Sequence, residues 1–120
     1  MAQHNELGKK GEEIAVAHLA KNGFKIRDVN WRFRKEEIDI VAEKDGFIIF
    51  VEVKTRTSEY FETPASTVTM KKQKSVINAA DEYIKSKELN NESRFDVIFI
   101  IHNSKYTKIE HLESAFYPTV

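Results

Sequence analysis

The pattern of hydrophobic and polar positions divides the chain into two helical and five extended segments. Apolar residues recur every three or four positions over residues 5–22 and from about 67 to 86, as one face of a helix requires. Shorter runs, alternating or continuously apolar, predict strands at 24–30, 36–44, 47–56, 95–101 and 107–112. The order helix, three strands, helix, two strands predicts an α/β fold in which helices flank one mixed central sheet.

The second and third strands are predicted to form a hairpin that turns at Asp45-Gly46. An Asp-Gly pair between two apolar runs favours a two-residue type I′ turn. Counting outward from that turn predicts three apolar pairs on one face: Ala42 with Ile49, Ile40 with Val51 and Ile38 with Val53. The other face is predicted to carry Val41 with Phe50, Asp39 with Glu52 and Glu37 with Lys54. The charged residues therefore gather at one end of the hairpin.

Two carboxylates, those of Asp39 and Glu52, are predicted to face each other in this register. Directly opposed residues have Cβ atoms about 5 Å apart, and like charges placed there are destabilising. A shared proton, a hard divalent cation such as Mg²⁺, or the ammonium of Lys54 would each compensate. A solvated edge hairpin would need no compensator, but the apolar character of both strands favours burial on both faces.

The amino-acid composition limits the number of domains and the kinds of functional site that the chain can contain. The 120 residues, 41% of them hydrophobic, predict a single domain with one compact core. The absence of cysteine excludes disulfides, thiolate metal sites and cysteine nucleophiles, and the four histidines show no metal-ligand spacing. The polar first ten residues and the lack of a long apolar run predict a soluble, cytoplasmic protein without a membrane segment.

The charges are balanced overall but clustered locally. A net charge of zero argues against a protein that coats nucleic acid by bulk electrostatics. Basic residues nevertheless cluster at 9–10, 32–35, 54–56 and 71–74. Each cluster is either a solvated face or part of a basic surface around an acidic pocket. The lysines at the start of the second helix oppose its dipole, which favours an anionic partner.

Two further features lie close to the acidic end of the hairpin in the predicted arrangement. Glu12 is at the border of the apolar stripe of the first helix, whereas Glu13 points away, so only Glu12 can face the sheet. A glutamate that merely extends from the rim into solvent is the alternative. The polar segment 57–67 is predicted to be a loop, in which Tyr60 and Phe61 either stack on bases or cap the core.

Several short motifs together resemble the YraN-like family of uncharacterised bacterial proteins, in the PD-(D/E)XK nuclease superfamily. They are GEEIA at 11–15, EIDIVA at 37–42, FVEVKTR at 50–56, KQ at 72–73, RFDVI at 94–98 and AF at 115–116. Asp39 followed by Glu52-Val53-Lys54 resembles the active-site pattern of the superfamily. One departure is Glu36, which stands where the family usually has a glycine.

The resemblance implies a single nuclease-like domain over residues 1–120, with a restriction-endonuclease-like αβββαβ core similar to that of Holliday-junction resolvases. The implied activity is hydrolysis of phosphodiester bonds in DNA, including branched or damaged DNA, with Mg²⁺ or Mn²⁺. Asp39 and Glu52 are expected to hold the metal, with Glu12 as a ligand through water. Lys54 is expected to orient the attacking water or to stabilise the transition state. Three residues are expected to contact the phosphate backbone: Arg56, Lys72 and Gln73.

A catalytically silent module is the alternative, in which the nuclease fold binds nucleic acid or a partner without turnover. The intact Asp39, Glu52 and Lys54 favour the enzyme. The neutral net charge and Glu36 favour the module. Weak affinity for phosphate would then require a partner or a homodimer.

Overall fold

The computed structural model describes residues 5–58 and 68–118, which form two helices and five strands. The elements are α1 (Glu6–Lys21), β1 (Lys25–Phe33), β2 (Glu36–Lys44), β3 (Phe47–Arg56), α2 (Met70–Ser86), β4 (Glu92–His102) and β5 (Thr107–Phe116). The predicted order of elements is confirmed. Three strands, β1, β4 and β5, extend beyond their predicted ends, because their terminal residues pair in the sheet although they lack an apolar pattern.

The five strands form one mixed sheet in the order β1-β2-β3-β4-β5. The first three strands are antiparallel neighbours, β3 and β4 are parallel, and β4 and β5 are antiparallel. Parallel neighbours need a crossover connection, and α2 lies in the connection between β3 and β4. The continuously apolar β4 is paired on both sides, as its sequence predicts.

The two helices cover opposite faces of the sheet and so create two apolar cores. One core contains residues of α1 and the sheet, including Ala15, Leu19, Ile40, Ile49, Val51 and Ile98. The other contains residues of α2 and the sheet, including Val76, Ala80, Tyr83, Phe50, Phe95 and Val97. The hairpin is therefore covered on both faces, as its apolar strands predict.

Side-chain caps define where the helices begin. The side chain of Asn5 accepts a hydrogen bond from the Gly8 amide at 2.7 Å, and that of Thr69 accepts one from the Lys72 amide at 3.1 Å. The second helix therefore begins at Met70, two to three residues later than predicted. Most of the predicted loop, including Tyr60 and Phe61, lies outside the described residues. Neither described helix is long and apolar enough to cross a membrane.

The hairpin turn is confirmed, since Asp45 has a φ of 53° and Gly46 a φ of 85°, the left-handed pair that a type I′ turn requires. The register is as predicted from Lys44 with Phe47 to Ile40 with Val51. Among the described residues, Ile40 and Val51 are the last pair of this ladder. The backbones of β2 and β3 therefore stop pairing just before the carboxylates.

The prediction that Ile38 shares a face with Ile40 is wrong. Ile38 packs in the core beneath α2, whereas Ile40 and Val53 belong to the core beneath α1. The chain of β2 therefore changes face around Asp39. The residue opposite Asp39 on the neighbouring strand is also irregular, since Asn30 of β1 has a φ of 55° in the left-handed region.

Candidate active site

Five charged side chains from four elements converge at the end of the hairpin where β2 and β3 separate. Asp39 comes from β2, Glu52 and Lys54 from β3, Glu12 from α1 and Lys72 from α2. The charges of Glu12 and Lys72 act on the pKa of Asp39, and those of Asp39, Lys72 and Lys54 act on the pKa of Glu52. The fold thus brings together the four residues predicted to be catalytic and also Lys72, which was predicted only as a contact to the phosphate backbone.

Beyond the last backbone pair of β2 and β3, the Asp39 carboxylate accepts a hydrogen bond from β3. Its Oδ2 accepts a hydrogen bond from the Val53 amide at 2.8 Å. This bond fixes the carboxylate against β3, next to Glu52. Burial, and to a lesser degree the charge of Glu12, raise the pKa of Asp39 to about 6, although the Val53 hydrogen bond acts in the opposite direction.

The Glu52 carboxylate is buried, with 2% of the residue exposed. Burial and the charge of Asp39 raise its pKa to about 8, although Lys72 and Lys54 act in the opposite direction. Its Oε2 lies 3.4 Å from the Lys72 ammonium, whereas its Oε1 has no hydrogen-bond partner among the described residues. Buried polar atoms are nearly always paired, so this oxygen indicates a ligand that Glu52 is shaped to receive.

The donor set fits a hard cation that takes few protein ligands. No three His, Asp or Glu side chains within 5–58 and 68–118 lie together as a ready-made metal cluster. Asp39 and Glu52 are a pair, and Mg²⁺ is commonly bound through one or two carboxylates, several waters and substrate phosphates. The Glu12 carboxylate accepts a hydrogen bond from the side-chain amide of Asn30 at 3.2 Å, and its charge raises the pKa of Asp39. Its expected role through water stays a prediction.

The two basic residues of β3 differ in their surroundings. Lys54 is half-buried two residues after Glu52, and its charge lowers the pKa of Glu52. Arg56 is half-buried two residues further along the strand and donates a hydrogen bond to the Thr55 carbonyl at 3.0 Å. Lys54 therefore belongs to the carboxylate site, whereas the phosphate contact expected of Arg56 stays a prediction.

The two candidates on α2 occupy different places. The Lys72 ammonium contacts the Glu52 carboxylate. The side-chain amide of Gln73 instead donates a hydrogen bond to the Val68 carbonyl at 3.2 Å. Gln73 lines a separate cavity of about 290 Å³ together with residues of β5, among them Phe116. Lys72 is thus a neighbour of the carboxylates, which its position in a run of lysines did not indicate. Whether either side chain contacts phosphate stays a prediction.

The unusual Glu36 lies at the tight turn between β1 and β2. It pairs with Phe33 and lines a cavity of about 400 Å³ with the turn residues Arg34 and Lys35 and with residues of α2. The carboxylate that acts on Asp39 is instead that of Glu37, whose charge raises the pKa of Asp39. Glu36 therefore lies at the turn and is not among the charges that act on the pKa of Asp39 or Glu52.

A groove between α1 and β1 borders the site on the Glu12 side. Its volume is about 650 Å³, and Glu12 and Asn30 share its lining with apolar residues that include Val16 and Val29. Val29 is 44% exposed, which is unusual for a large apolar side chain in a strand. The Glu12 side of the site therefore borders a groove with a partly apolar wall.

Gly11 sets how closely α1 approaches the site. A Cβ atom at Gly11 would overlap Oγ1 of Thr55 and would come within 2.8 Å of the Thr55 Cβ. Only glycine allows the helix to lie so close to β3. The next residue along the helix is Glu12, so this contact also positions the Glu12 carboxylate.

Replacing Gly11 with alanine is expected to destabilise the fold by about 1–3 kcal/mol, because the overlap outweighs the better helix propensity of alanine. Urea denaturation would measure the loss. Gly8→Ala is the control in the same helix, since the nearest atom to its new Cβ lies at 3.2 Å. Equal stability of Gly11→Ala and wild type would show that the helix can shift without cost.

A second buried polar cluster was missed by sequence reasoning. Asp96 is fully buried and accepts hydrogen bonds from Arg94 at 2.9 and 2.8 Å, from His111 at 2.8 Å and from the Ser114 amide at 3.0 Å. His111 in turn contacts His18 of α1 at 3.2 Å. Burial raises the pKa of Asp96, but these hydrogen bonds together leave it below its usual value. The RFDVI motif contains two of these residues and was the available signal.

Comparison with known proteins identifies the family that this chain matches. The uncharacterised protein family UPF0102 matches residues 11–100. A UPF0102 protein of Flavobacterium psychrophilum is 46% identical over 117 residues, which cover 98% of each chain. UPF0102 proteins of Bacteroides thetaiotaomicron and Phocaeicola vulgatus are 45% identical over 118 residues and 43% identical over 120 residues, with at least 98% of each chain covered. The five charged residues of the site lie within the residues 11–100 that the family matches.

Proposed function

The chain belongs to the uncharacterised protein family UPF0102, and from its carboxylate site we propose that it is a metal-dependent endonuclease that hydrolyses phosphodiester bonds in DNA. The proposal includes membership of the PD-(D/E)XK nuclease superfamily. It is supported by a mixed sheet of five strands with a helix on each face, which is consistent with a restriction-endonuclease-like core. Fold alone does not determine activity, so the site has to carry the argument.

The observation that carries the proposal is the buried Glu52 carboxylate beside Asp39, with one oxygen that no described residue hydrogen-bonds. Two adjacent carboxylates with raised pKa values destabilise the fold when both are ionised. Carboxylates with strongly perturbed pKa values are typical of functional sites. A divalent cation would satisfy both groups at once.

The proposed chemistry assigns a role to each convergent side chain. Asp39 and Glu52 would hold Mg²⁺ or Mn²⁺, which when bound activates a water and offsets charge on the phosphoryl oxygens. Lys54 lies two residues after Glu52 in β3. It orients the attacking water or stabilises the charge that grows on the phosphoryl group. Glu12, at the edge of the groove, holds a water through its carboxylate.

The proposed substrate is DNA, with branched or damaged DNA as the structures to test first. Arg56, Lys72 and Gln73 are proposed to supply contacts to its backbone. Because the net charge is zero, a homodimer would double the number of phosphate contacts and thereby raise the affinity. Action on DNA also places the protein in the cytoplasm.

A cleavage panel tests the proposal directly. Linear, nicked, flapped and four-way DNA, together with RNA, would be incubated with the protein and either Mg²⁺ or Mn²⁺. We expect cleavage of at least one DNA substrate and no cleavage by Asp39→Ala purified in the same way. A wild type that cleaves none of them yet binds DNA would instead make the chain a silent binding module.

A further inference from the structure

The Lys72 ammonium is the cation nearest to the buried carboxylates. Its Nζ lies 3.4 Å from Oε2 of Glu52, which is longer than the roughly 2.7–2.9 Å of a strong charge-assisted hydrogen bond. The two partners differ in exposure, because 36% of the Lys72 side chain is accessible against 3% for Glu52. The ammonium can therefore leave toward solvent, whereas the carboxylate cannot follow it.

The backbone of Lys72 stays fixed when its side chain moves. Its amide donates to the Thr69 side chain at 3.1 Å in the cap of α2, so the residue is anchored in the first helical turn. Four methylene groups then separate the anchor from the charge, and such a stem is flexible. A swing of the ammonium away from Glu52 needs no change in the helix.

A divalent cation and this ammonium compete for the same oxygens. Mg²⁺ binds carboxylate oxygens at about 2.0–2.1 Å and keeps its own water shell. An ammonium that remained 3.4 Å from Oε2 would lie against that shell and repel the ion. The two cations therefore exclude each other from the Asp39–Glu52 pair.

We propose that Lys72 is the resident counter-ion of the carboxylate pair, that a divalent cation displaces it, and that the released ammonium then binds a phosphate of the substrate. The inference rests on the proposed function, because it uses the same metal site. It adds a sequence of events, in which Lys72 reaches phosphate only after the metal has entered. Metal binding and DNA binding are then coupled, and each tightens the other.

The first test measures Mn²⁺ affinity by electron paramagnetic resonance for wild type and Lys72→Met at several pH values, and it compares the affinities extrapolated to ionised carboxylates, because Lys72 also lowers the pKa values of Asp39 and Glu52. Removing the competing charge should tighten Mn²⁺ binding by about five- to tenfold, the factor that one unit charge a few ångströms away produces in a water-like dielectric. Lys72→Arg keeps the charge and should behave as wild type. Lys71→Met and Lys74→Met remove exposed charges from the same helix and should leave the affinity unchanged.

The second test measures DNA affinity with and without Ca²⁺, a hard cation that also takes carboxylate oxygens. Without Ca²⁺, wild type and Lys72→Met should bind DNA equally, because Glu52 holds the ammonium. With Ca²⁺, wild type should bind several-fold more tightly than Lys72→Met. An equal deficit of Lys72→Met in both conditions would overturn the proposal and make Lys72 an ordinary phosphate-binding lysine.

Asp39→Ala separates failure of this inference from failure of the proposed function. If Asp39→Ala loses Mn²⁺ while Lys72→Met binds it no more tightly than wild type, the counter-ion role is wrong and the metal site stands. If Asp39→Ala binds Mn²⁺ as well as wild type, the carboxylates are not the metal site, and both proposals fall. Loss of Mn²⁺ in Asp39→Ala together with tighter binding in Lys72→Met supports both.

Discussion

Replacing Lys54 with methionine is expected to lower the rate of DNA cleavage by about 10²–10³-fold, the cost typical of removing one group that stabilises transition-state charge. Methionine keeps most of the packing of the half-buried lysine stem and removes only the ammonium. The carboxylates of Asp39 and Glu52 remain, so Mn²⁺ binding should persist. Single-turnover cleavage and metal titration on the same preparations would measure the two effects separately.

Lys105→Met is the matched control, since Lys105 is exposed in the connection between β4 and β5. It should cleave as wild type does, and identical purification guards against contaminating nuclease. A silent binding module has no turnover to lose, and there Lys54→Met should cost at most one phosphate contact. That cost is a drop of about one in the slope of log affinity against log salt concentration. Wild-type cleavage by Lys54→Met would remove this residue from the mechanism.

The hairpin is the part of the site that local sequence predicts best. Asp45-Gly46 permits the positive φ angles of a type I′ turn, and such a turn leaves one register available to the strands that follow. Counting along that register predicts Asp39, Glu52 and Lys54 near one another, and the structure places Asp39 beside Glu52 although the paired part of the hairpin ends at Ile40 and Val51. The carboxylate pair could therefore be predicted before any packing was known.

The end of the hairpin could not be predicted from the same pattern. The alternation of apolar residues continues through Ile38, but the structure changes face between Ile38 and Ile40. At the same place Asn30 of β1 has a positive φ, and the Asp39 carboxylate accepts a hydrogen bond from the Val53 amide. Neither feature could be predicted from the local sequence, because each involves residues of a neighbouring strand.

The sequence also could not predict which side chains of distant segments contact each other. The approach of Lys72 to Glu52 depends on how α2 lies across the sheet, and a run of lysines does not show which one faces inward. The Asp96 cluster joins α1, β4 and β5 through His18, Arg94 and His111. A single sequence gives the residue types but not the packing that brings them together.

The carboxylate pair that supports the proposed activity should also weaken the fold at high pH. Burial and the charges of Glu12 and Glu37 raise the pKa of Asp39 to about 6, and burial and the charge of Asp39 raise that of Glu52 to about 8, above the values that the unfolded chain has. A raised pKa means that the folded state binds the proton more tightly than the unfolded state. The resulting stabilisation is complete below about pH 4 and is lost as pH rises through these two values.

Glu52→Gln is therefore expected to unfold at higher urea concentration than wild type at pH 9, by on the order of 3 kcal/mol in the free energy of unfolding. The amide has nearly the shape of the protonated acid, so the two proteins should be about equally stable at pH 4. Urea denaturation at both pH values would measure the difference.

Mg²⁺ should reduce this difference in stability. An ion that binds only the folded state stabilises it, so saturating Mg²⁺ at pH 9 should raise the stability of wild type and leave Glu52→Gln unchanged. Glu110→Gln, on exposed β5, is the control and should follow wild type in both respects. If Glu52→Gln loses stability at pH 9, the Lys72 contact outweighs burial and repulsion, and Glu52 is a structural ion pair. A gain in stability with loss of the Mg²⁺ response would mean that this chain maintains an ionised Glu52, at a cost in stability, because the metal requires it.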